Sequence, residues 1–218
     1  MREQIIKAVE AEKIITIVRG VEREKLIPLA EALYAGGIRL MEITYDARGI
    51  TPDEETAKRI EMLARHFEGR MYIGAGTVLT ERQAELTKAA GGSFIISPDT
   101  CEAVIQRTRA LGLVSIPGAL TPTEIEAAHR YGADFVKVFP VNFFGPSYIR
   151  TVAAPLSHIK LLAVGGINEE TLPEYHKAGA CGYGISAKIV DMKKIAEGDF
   201  AGIAALAERF TKLVRALG

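Results

Sequence analysis

The sequence predicts an α/β fold, namely a TIM or (β/α)8 barrel. Eight short apolar segments alternate with longer amphipathic segments from one end of the chain to the other. The apolar segments are continuous, which is typical of parallel strands that are buried on both faces. The length of 218 residues suits one barrel domain over residues 1–218, since such barrels often take roughly 200–250 residues.

The elements follow a regular strand–helix order. We predict strands at residues 14–18, 38–43, 71–75, 93–96, 113–116, 135–138, 159–163 and 182–185. We predict helices at residues 23–34, 52–67, 81–89, 101–111, 122–130, 146–153, 169–177, 192–196 and 200–217. An additional N-terminal helix at residues 2–12 is expected to cover the bottom of the barrel. A doubly wound open sheet is the alternative, but no GxGxxG sequence follows the first strand.

Composition narrows the classes of function. The formal net charge is zero, so nothing indicates a nucleic acid or an anionic membrane as a partner. No run of 18 or more apolar residues predicts a membrane span, and the first residues lack the apolar core of a signal peptide. The two cysteines, Cys101 and Cys181, are far apart, which favours reduced thiols and a cytoplasmic location.

Lys137 is the most informative residue because it lies within the apolar run at residues 133–140. Side chains alternate along a strand, so Lys137 shares a face with Phe135 and Phe139. Burial lowers the pKa of a lysine, and a neutral amine is a nucleophile that forms Schiff bases with carbonyl compounds. The alternative interpretation is a lysine at a strand end whose ammonium group reaches water.

Polar residues at the carboxyl ends of the strands are the candidates for chemistry, because TIM-barrel active sites lie there. Glu42 suits general acid–base catalysis, since apolar surroundings raise the pKa of a carboxyl group; the alternative is a buried ion pair with Arg39 or Arg19. Arg19 is a candidate for binding a substrate carboxylate, and Thr77 is a candidate donor to the same group. Their alternative roles are a solvated strand end and a helix N-cap.

A phosphate site is predicted after the last two strands. Gly165 and Gly166 allow backbone N–H groups to approach an anion, and Ser186 adds a hydroxyl donor. The alternative is that the two glycines only form a tight turn before a helix. The four histidines fall away from the strand ends, and no clustered ligands indicate a metal, so we expect neither a metal nor another cofactor.

The motifs together resemble one known family, the class I 2-keto-3-deoxy-6-phosphogluconate / 4-hydroxy-2-oxoglutarate aldolases. The resemblance covers nearly the whole chain, and the order and spacing of its motifs are specific. The motifs are Met41-Glu42-Ile43-Thr44, Ile73-Gly74-Ala75-Gly76-Thr77-Val78-Leu79, Ile96-Ser97-Pro98, Ile116-Pro117-Gly118, Val136-Lys137-Val138-Phe139-Pro140 and Val164-Gly165-Gly166-Ile167.

The resemblance implies a role for each candidate residue. Lys137 would be the Schiff-base lysine, and Glu42 would move protons, through a water molecule. Arg19 and Thr77 would hold the pyruvyl carboxylate. The remaining residues would shape the substrate pocket or take the phosphate, and they are Pro98, Phe139, Gly165, Gly166 and Ser186. The resemblance also implies a homotrimer.

The implied reaction is a retro-aldol cleavage of a small keto acid without a cofactor. The substrate would be a 2-keto-3-deoxy-6-phospho sugar acid, 4-hydroxy-2-oxoglutarate, or both. Residues 142–149 resemble the phosphogalactonate-cleaving branch as much as the phosphogluconate-cleaving branch. Well-known members carry an arginine at the position of Asp46, and Arg48 is a candidate replacement. A sugar-phosphate isomerase with Glu42 as its base, and a phosphometabolite sensor, are the other functions that the residues allow.

Overall fold

The structure, a computed structural model, describes residues 2–218. Its strands are β1 (Ile14–Val18), β2 (Leu40–Thr44), β3 (Tyr72–Gly76), β4 (Phe94–Ile96), β5 (Val114–Ile116), β6 (Gly118–Ala119), β7 (Val136–Val138), β8 (Leu161–Val164) and β9 (Gly182–Ile185). Its α-helices are α1 (Arg2–Glu12), α2 (Arg23–Ala35), α3 (Asp53–His66), α4 (Glu81–Ala89), α5 (Glu102–Ala110), α6 (Pro122–Arg130), α7 (Pro146–Ala153), α8 (Leu172–Lys177), α9 (Met192–Glu197) and α10 (Phe200–Leu217).

The parallel sheet closes into a barrel. Its strand order is β5-β4-β3-β2-β1-β9-β8-β7-β6, so β5 and β6 lie at its two edges. These two segments are halves of one strand that is interrupted at Pro117, which has no backbone N–H to donate. The Pro117 carbonyl still accepts a hydrogen bond of 2.9 Å from the Lys137 backbone N–H. The nine segments therefore form eight barrel positions, which confirms the predicted TIM barrel.

Two cores result from the alternation of side chains along the strands. The outer core fills the space between strands and helices, and it includes Val136 and Val138 of β7. The inner core fills the lower part of the barrel, and it includes Phe135 and Leu40. Because neighbours in a strand face opposite sides, residues two positions after Phe135 and Leu40 face the interior as well.

Helix α1 closes the bottom of the barrel, as the sequence predicts. Its side chains Ile5 and Val9 are 1% and 0% exposed and belong to the inner core. They pack there with Phe94 and Val114, which begin β4 and β5, and with Phe135, which directly precedes β7. At the opposite end of the barrel, where the strands end, loops connect the strands to the helices that follow.

The predicted boundaries agree with the structure to within about three residues. The largest difference is α8, which begins at Leu172 and not at residue 169. The Asn168 side chain accepts hydrogen bonds of 3.0 and 2.9 Å from the backbone N–H groups of Glu170 and Thr171. This turn competes with the helix for the same donors and delays its start. A capping box from Thr121 to Glu124 fixes the start of α6 at the predicted residue.

The inner core generates a stability prediction. Phe135→Ala should lower the free energy of unfolding by about 3–5 kcal/mol, because a fully buried phenyl ring leaves a cavity when it is removed. Phe143→Ala is the matched control, since the Phe143 side chain is 78% exposed. Urea unfolding of both variants measures the difference. Equal losses in the two variants would contradict the assignment of Phe135 to the barrel interior.

Candidate active site

A cavity of about 540 Å³ opens where the strands end. All nine residues singled out from the sequence line this cavity, and they are Arg19, Glu42, Thr77, Pro98, Lys137, Phe139, Gly165, Gly166 and Ser186. A groove of similar size, about 530 Å³, includes Gln4, Arg65 and Met71 and contains none of those nine residues. The cavity at the strand ends, here called the catalytic cavity, is therefore the candidate active site.

Lys137 enters the catalytic cavity from the middle of β7. Its neighbours Val136 and Val138 face the outer core, so the lysine faces the barrel interior above Phe135. The residue is only 8% exposed. Its Nζ atom lies 4.7 Å from the ring centroid of Phe139, which is 38% exposed and covers the amine toward solvent.

The surroundings of Lys137 favour a neutral amine. Burial lowers the pKa of Lys137 because the ammonium form loses its hydration, and the nearby charge of Arg19 lowers this pKa further. The charge of Glu42 opposes these effects. Among residues 2–218, no carboxylate lies within 4.0 Å of the Lys137 Nζ atom. The Lys137 side chain is therefore buried and has no ion-pair partner in this range, and the alternative of a solvated strand end is wrong.

Glu42 reaches the same cavity from β2. Leu40 belongs to the inner core, and Met41 and Ile43 belong to the outer core, so Glu42 faces the interior. The residue is 2% exposed. The carboxyl group fits because residue 76 is a glycine: a Cβ atom on Gly76 would lie 2.2 Å from Glu42 Oε1. Gly76 thus provides the space in which the carboxyl group lies.

The carboxyl group of Glu42 is poised to exchange protons near neutral pH. Burial raises its pKa to about 7, against the opposing charges of Lys137 and Arg19. Its Oε2 atom is buried and has no hydrogen-bond partner among residues 2–218. The alternative of an ion pair with Arg39 or Arg19 is wrong, since neither guanidinium group lies within 4.0 Å of the Glu42 carboxyl group among residues 2–218. Arg39 instead donates to the carbonyls of Tyr34 and Ile38 at 3.0 and 2.8 Å, and Arg19 donates to Thr77.

Arg19 and Thr77 lie together at the edge of the cavity. The Arg19 Nη2 atom donates to Thr77 Oγ1 at 3.3 Å, which connects the ends of β1 and β3. Thr77 has a φ angle of 57°, a left-handed conformation that costs a β-branched residue about 1–3 kcal/mol. The N-cap role is wrong, because Thr80 caps α4. The pair presents a guanidinium group and a hydroxyl group to the cavity.

The glycine turn after β8 lies against Asn142. Gly165 and Gly166 have φ angles of 110° and 70°, so the turn needs glycine for its backbone conformation. A Cβ atom on Gly166 would lie 2.7 Å from the Cβ atom of Asn142. The two glycines therefore form a tight turn. Since glycine has no side chain, these two positions expose only backbone atoms to the cavity.

Asp46 and Arg48 form a loop outside the catalytic cavity. The Asp46 carboxylate accepts hydrogen bonds from the backbone N–H groups of Arg48 and Thr51, and these bonds lower its pKa. The Arg48 Nε atom also donates to Asp46 at 3.3 Å. The Arg48 side chain is 79% exposed and lines an adjacent cavity of about 430 Å³. Arg48 thus does not occupy the catalytic cavity.

The histidines lie away from the catalytic cavity, as predicted. His66 contacts Glu31, His129 packs edge-on against His158, and His176 contacts Tyr183. Over residues 2–218, no group of three or more His, Cys, Asp or Glu side chains is placed to hold a metal ion. No helix in that range is long and apolar enough to cross a membrane.

Comparison with known families identifies the chain. The family model for KDPG and KHG aldolase matches residues 5–206. The chain belongs to this family. KDPG is 2-keto-3-deoxy-6-phosphogluconate, KHG is 4-hydroxy-2-oxoglutarate, and an aldolase is a carbon–carbon lyase.

Relatives of this aldolase match most of its length. It is 34% identical to the 2-dehydro-3-deoxy-phosphogluconate aldolase of Treponema pallidum, over 96% of this chain and 97% of the relative. It is 32% identical to the 2-dehydro-3-deoxy-6-phosphogalactonate aldolase of Escherichia coli, over 81% and 83% of the two chains.

A solved structure adds chemical information. The KDPG aldolase of Legionella pneumophila, captured with pyruvate as a covalent carbinolamine intermediate, superposes on this aldolase with a TM-score of 0.81. The match is 29% identical and covers 93% of this chain and 96% of that chain. A carbinolamine is the adduct of an amine and a carbonyl group, so that relative uses amine chemistry.

Three residues at the site are not found by sequence reasoning alone. Gly76 makes room for the Glu42 carboxyl group, and Asn142 packs on the glycine turn. Lys188 lines the catalytic cavity from the turn after β9. Gly76 belongs to one of the family motifs, but its close approach to Glu42 joins two neighbouring strands, so no local sequence pattern indicates it.

The raised pKa of Glu42 predicts a pH dependence of stability. The folded protein keeps the Glu42 proton up to about pH 7, whereas the unfolded chain releases it above pH 4.5, so this group destabilises the fold as the pH rises. Glu42→Gln removes the titration. Relative to wild type, the variant should therefore gain about 2–3 kcal/mol in free energy of unfolding between pH 5 and pH 8.

Urea unfolding at the two pH values measures this difference. Glu68→Gln is the matched control, because Glu68 is exposed and has no cation within 4.0 Å among residues 2–218. Its stability should follow that of the wild type at both pH values. An identical pH dependence in wild type and Glu42→Gln would show that the Glu42 carboxyl group is solvated.

Proposed function

We propose that this aldolase cleaves a 2-keto-3-deoxy-6-phospho sugar acid to pyruvate and glyceraldehyde 3-phosphate through a Schiff base on Lys137. It also cleaves 4-hydroxy-2-oxoglutarate to pyruvate and glyoxylate. The observation that carries the proposal is the pairing of a buried lysine with a buried glutamate in one cavity. The names of the relatives support the choice of substrates.

The reaction begins with the amine of Lys137. In its neutral form, which burial favours, Nζ attacks the C2 carbonyl carbon of the keto acid and forms a carbinolamine. Loss of water gives an iminium ion. The positive iminium nitrogen then withdraws electrons from the C3–C4 bond. The ammonium form of Lys137 cannot start this sequence, because its nitrogen has no free electron pair.

Glu42 moves the protons. Its carboxylate removes the proton of the C4 hydroxyl group, directly or through one water molecule, and the C3–C4 bond breaks. The aldehyde leaves, and the bonding electrons reach the iminium nitrogen as an enamine. The protonated carboxyl group returns its proton to C3. Water then hydrolyses the iminium ion and releases pyruvate. With a pKa of about 7, the Glu42 carboxyl group can both accept and return a proton near neutral pH.

The other lining residues orient the substrate. The Arg19 guanidinium group and the Thr77 hydroxyl group bind the pyruvyl carboxylate beside the reacting carbon. Pro98 and Phe139 provide apolar walls. The phosphate is bound by backbone N–H groups of the turn at residues 165–166 and by Ser186. Because the Ser186 hydroxyl already donates to the Ile17 carbonyl at 3.2 Å, its backbone N–H is the donor that we assign to the phosphate.

The configuration at C4 of the substrate is a choice between the phosphogluconate-derived and the phosphogalactonate-derived keto acid. Relatives of both names match this chain. Cleavage of the two epimers, measured separately as kcat/KM with pyruvate detection, assigns the enzyme to one branch.

Assembly and location stay predictions. We propose a homotrimer, because the resemblance to the family implies one. The apolar side chains of Phe143 and Ile50 are 78% and 71% exposed, so the surface offers apolar area for contact between subunits. Sedimentation velocity measures the mass of the particle.

We also propose a cytoplasmic location, since Cys101 and Cys181 are free thiols.

Removal of the nucleophile provides the first functional test. Lys137→Ala and Lys137→Met should each lower kcat for cleavage by several orders of magnitude, because neither side chain forms an iminium ion. The circular dichroism spectra of both variants should match that of the wild type. Substantial cleavage by a folded variant would contradict the Schiff-base role of Lys137.

Removal of the acid–base group provides the second functional test. Glu42→Gln should slow the exchange of the pyruvate methyl protons with solvent deuterium by about 10²–10⁴-fold, the usual contribution of a general acid–base group. Pyruvate should still bind covalently to Lys137. Proton exchange is followed by NMR. If exchange stayed at the wild-type rate, Glu42 would have no part in proton transfer.

A further inference from the structure

We propose that Lys188 binds the phosphate group of the substrate and sets the preference of the enzyme for phosphorylated keto acids. This inference rests on the proposed function and extends it to the distal end of the substrate. The main observation in its support is that Lys188 lines the catalytic cavity beside the glycine turn and has no acidic partner there.

The fold places Lys188 next to the glycine turn. Strands β8 and β9 are neighbours, and Val164 pairs with Gly184. The segments that follow these two residues therefore leave the barrel side by side. One segment is the turn at residues 165–166, and the other is the turn at residues 186–190. Both segments contribute to the lining of the catalytic cavity.

The turn that carries Lys188 is anchored on both sides. Before the lysine, the Ser186 hydroxyl donates to the Ile17 carbonyl at 3.2 Å. After it, the backbone N–H groups of Ile189 and Val190 both donate to the Ser186 carbonyl at 2.8 Å. Ile189 and Val190 are 0% and 4% exposed. These contacts fix the backbone, so the lysine side chain projects from a rigid base.

The ammonium group of Lys188 is available to a ligand. Among residues 2–218, no carboxylate lies within 4.0 Å of it. The acid nearest in sequence, Asp191, instead accepts hydrogen bonds of 2.8 and 3.2 Å from the backbone N–H groups of Lys193 and Lys194 at the start of α9. An unpaired cation at the wall of a cavity attracts an anion.

The arrangement of charge favours a phosphate over a carboxylate at this end of the cavity. Arg19, the other exposed cation of the cavity, points to Thr77 and belongs to the carboxylate end. Lys188 adds a compact positive charge to the N–H groups of the glycine turn. Lysine binds phosphate as a point charge, and a phosphate dianion gains more from such a charge than the single charge of a carboxylate does.

The test compares two substrates that differ only in the phosphate. These are the phosphorylated keto acid of the C4 epimer that the enzyme prefers and the same keto acid without its phosphate. Lys188→Met should lower kcat/KM for the phosphorylated substrate by at least about tenfold, the loss expected for one charge-assisted hydrogen bond, mainly through KM. Cleavage of the unphosphorylated substrate should be unchanged.

Two further variants control for charge and shape. Lys188→Arg should keep most of the activity, because it restores the cation. Lys193→Met removes the same charge outside the cavity, and both substrates should stay within about twofold of wild type, since a solvated surface charge contributes little.

Two results would overturn the inference while leaving the proposed function intact: an equal loss on both substrates, or no loss on the phosphorylated one in Lys188→Met. If the wild-type enzyme cleaved neither keto acid, the proposed function would fail, and the assignment of Lys188 with it.

Discussion

The inward register of two strands is the constraint on which the site depends. Side chains alternate along a strand, so Leu40 in the inner core fixes Glu42 as inward, and Phe135 fixes Lys137 in the same way. A shift of one residue in either strand would move the polar group to the outer core and an apolar side chain into the cavity. The same strand registers are therefore needed to pack the barrel and to place the two polar groups in the cavity.

Burial shifts the pKa values of both groups. Removal from water lowers the pKa of Lys137 and raises that of Glu42 to about 7, so burial moves both groups toward their neutral forms. A neutral amine and a carboxyl group that titrates near neutral pH are what Schiff-base formation and proton transfer require. The same burial reduces stability, which is typical of active sites. Gly76 keeps this arrangement possible because a larger residue would occupy the space of the carboxyl group.

The sequence predicts much of this because its signals are local. A lysine inside an apolar strand, an acid near the end of another strand and a glycine pair after a third are visible in the chain, and the eightfold strand–helix order brings them to one end of a barrel. Contacts through space are not visible. The packing of Asn142 on the turn of Gly166 and the approach of Lys188 to the cavity depend on which strands become neighbours. The exact start of a helix is also difficult to predict. Before α8, the Asn168 side chain binds backbone N–H groups and the helix begins three residues later than expected.

Covalent trapping tests the central claim, that Lys137 is the amine that reacts with the keto acid. The wild-type enzyme is incubated with pyruvate and borohydride, digested, and mapped by mass spectrometry. We expect one added pyruvyl group, reduced to a secondary amine, on the peptide that contains Lys137, and no such adduct in Lys137→Met. An adduct on another lysine, or none while the enzyme still cleaves its keto acid, would contradict the account.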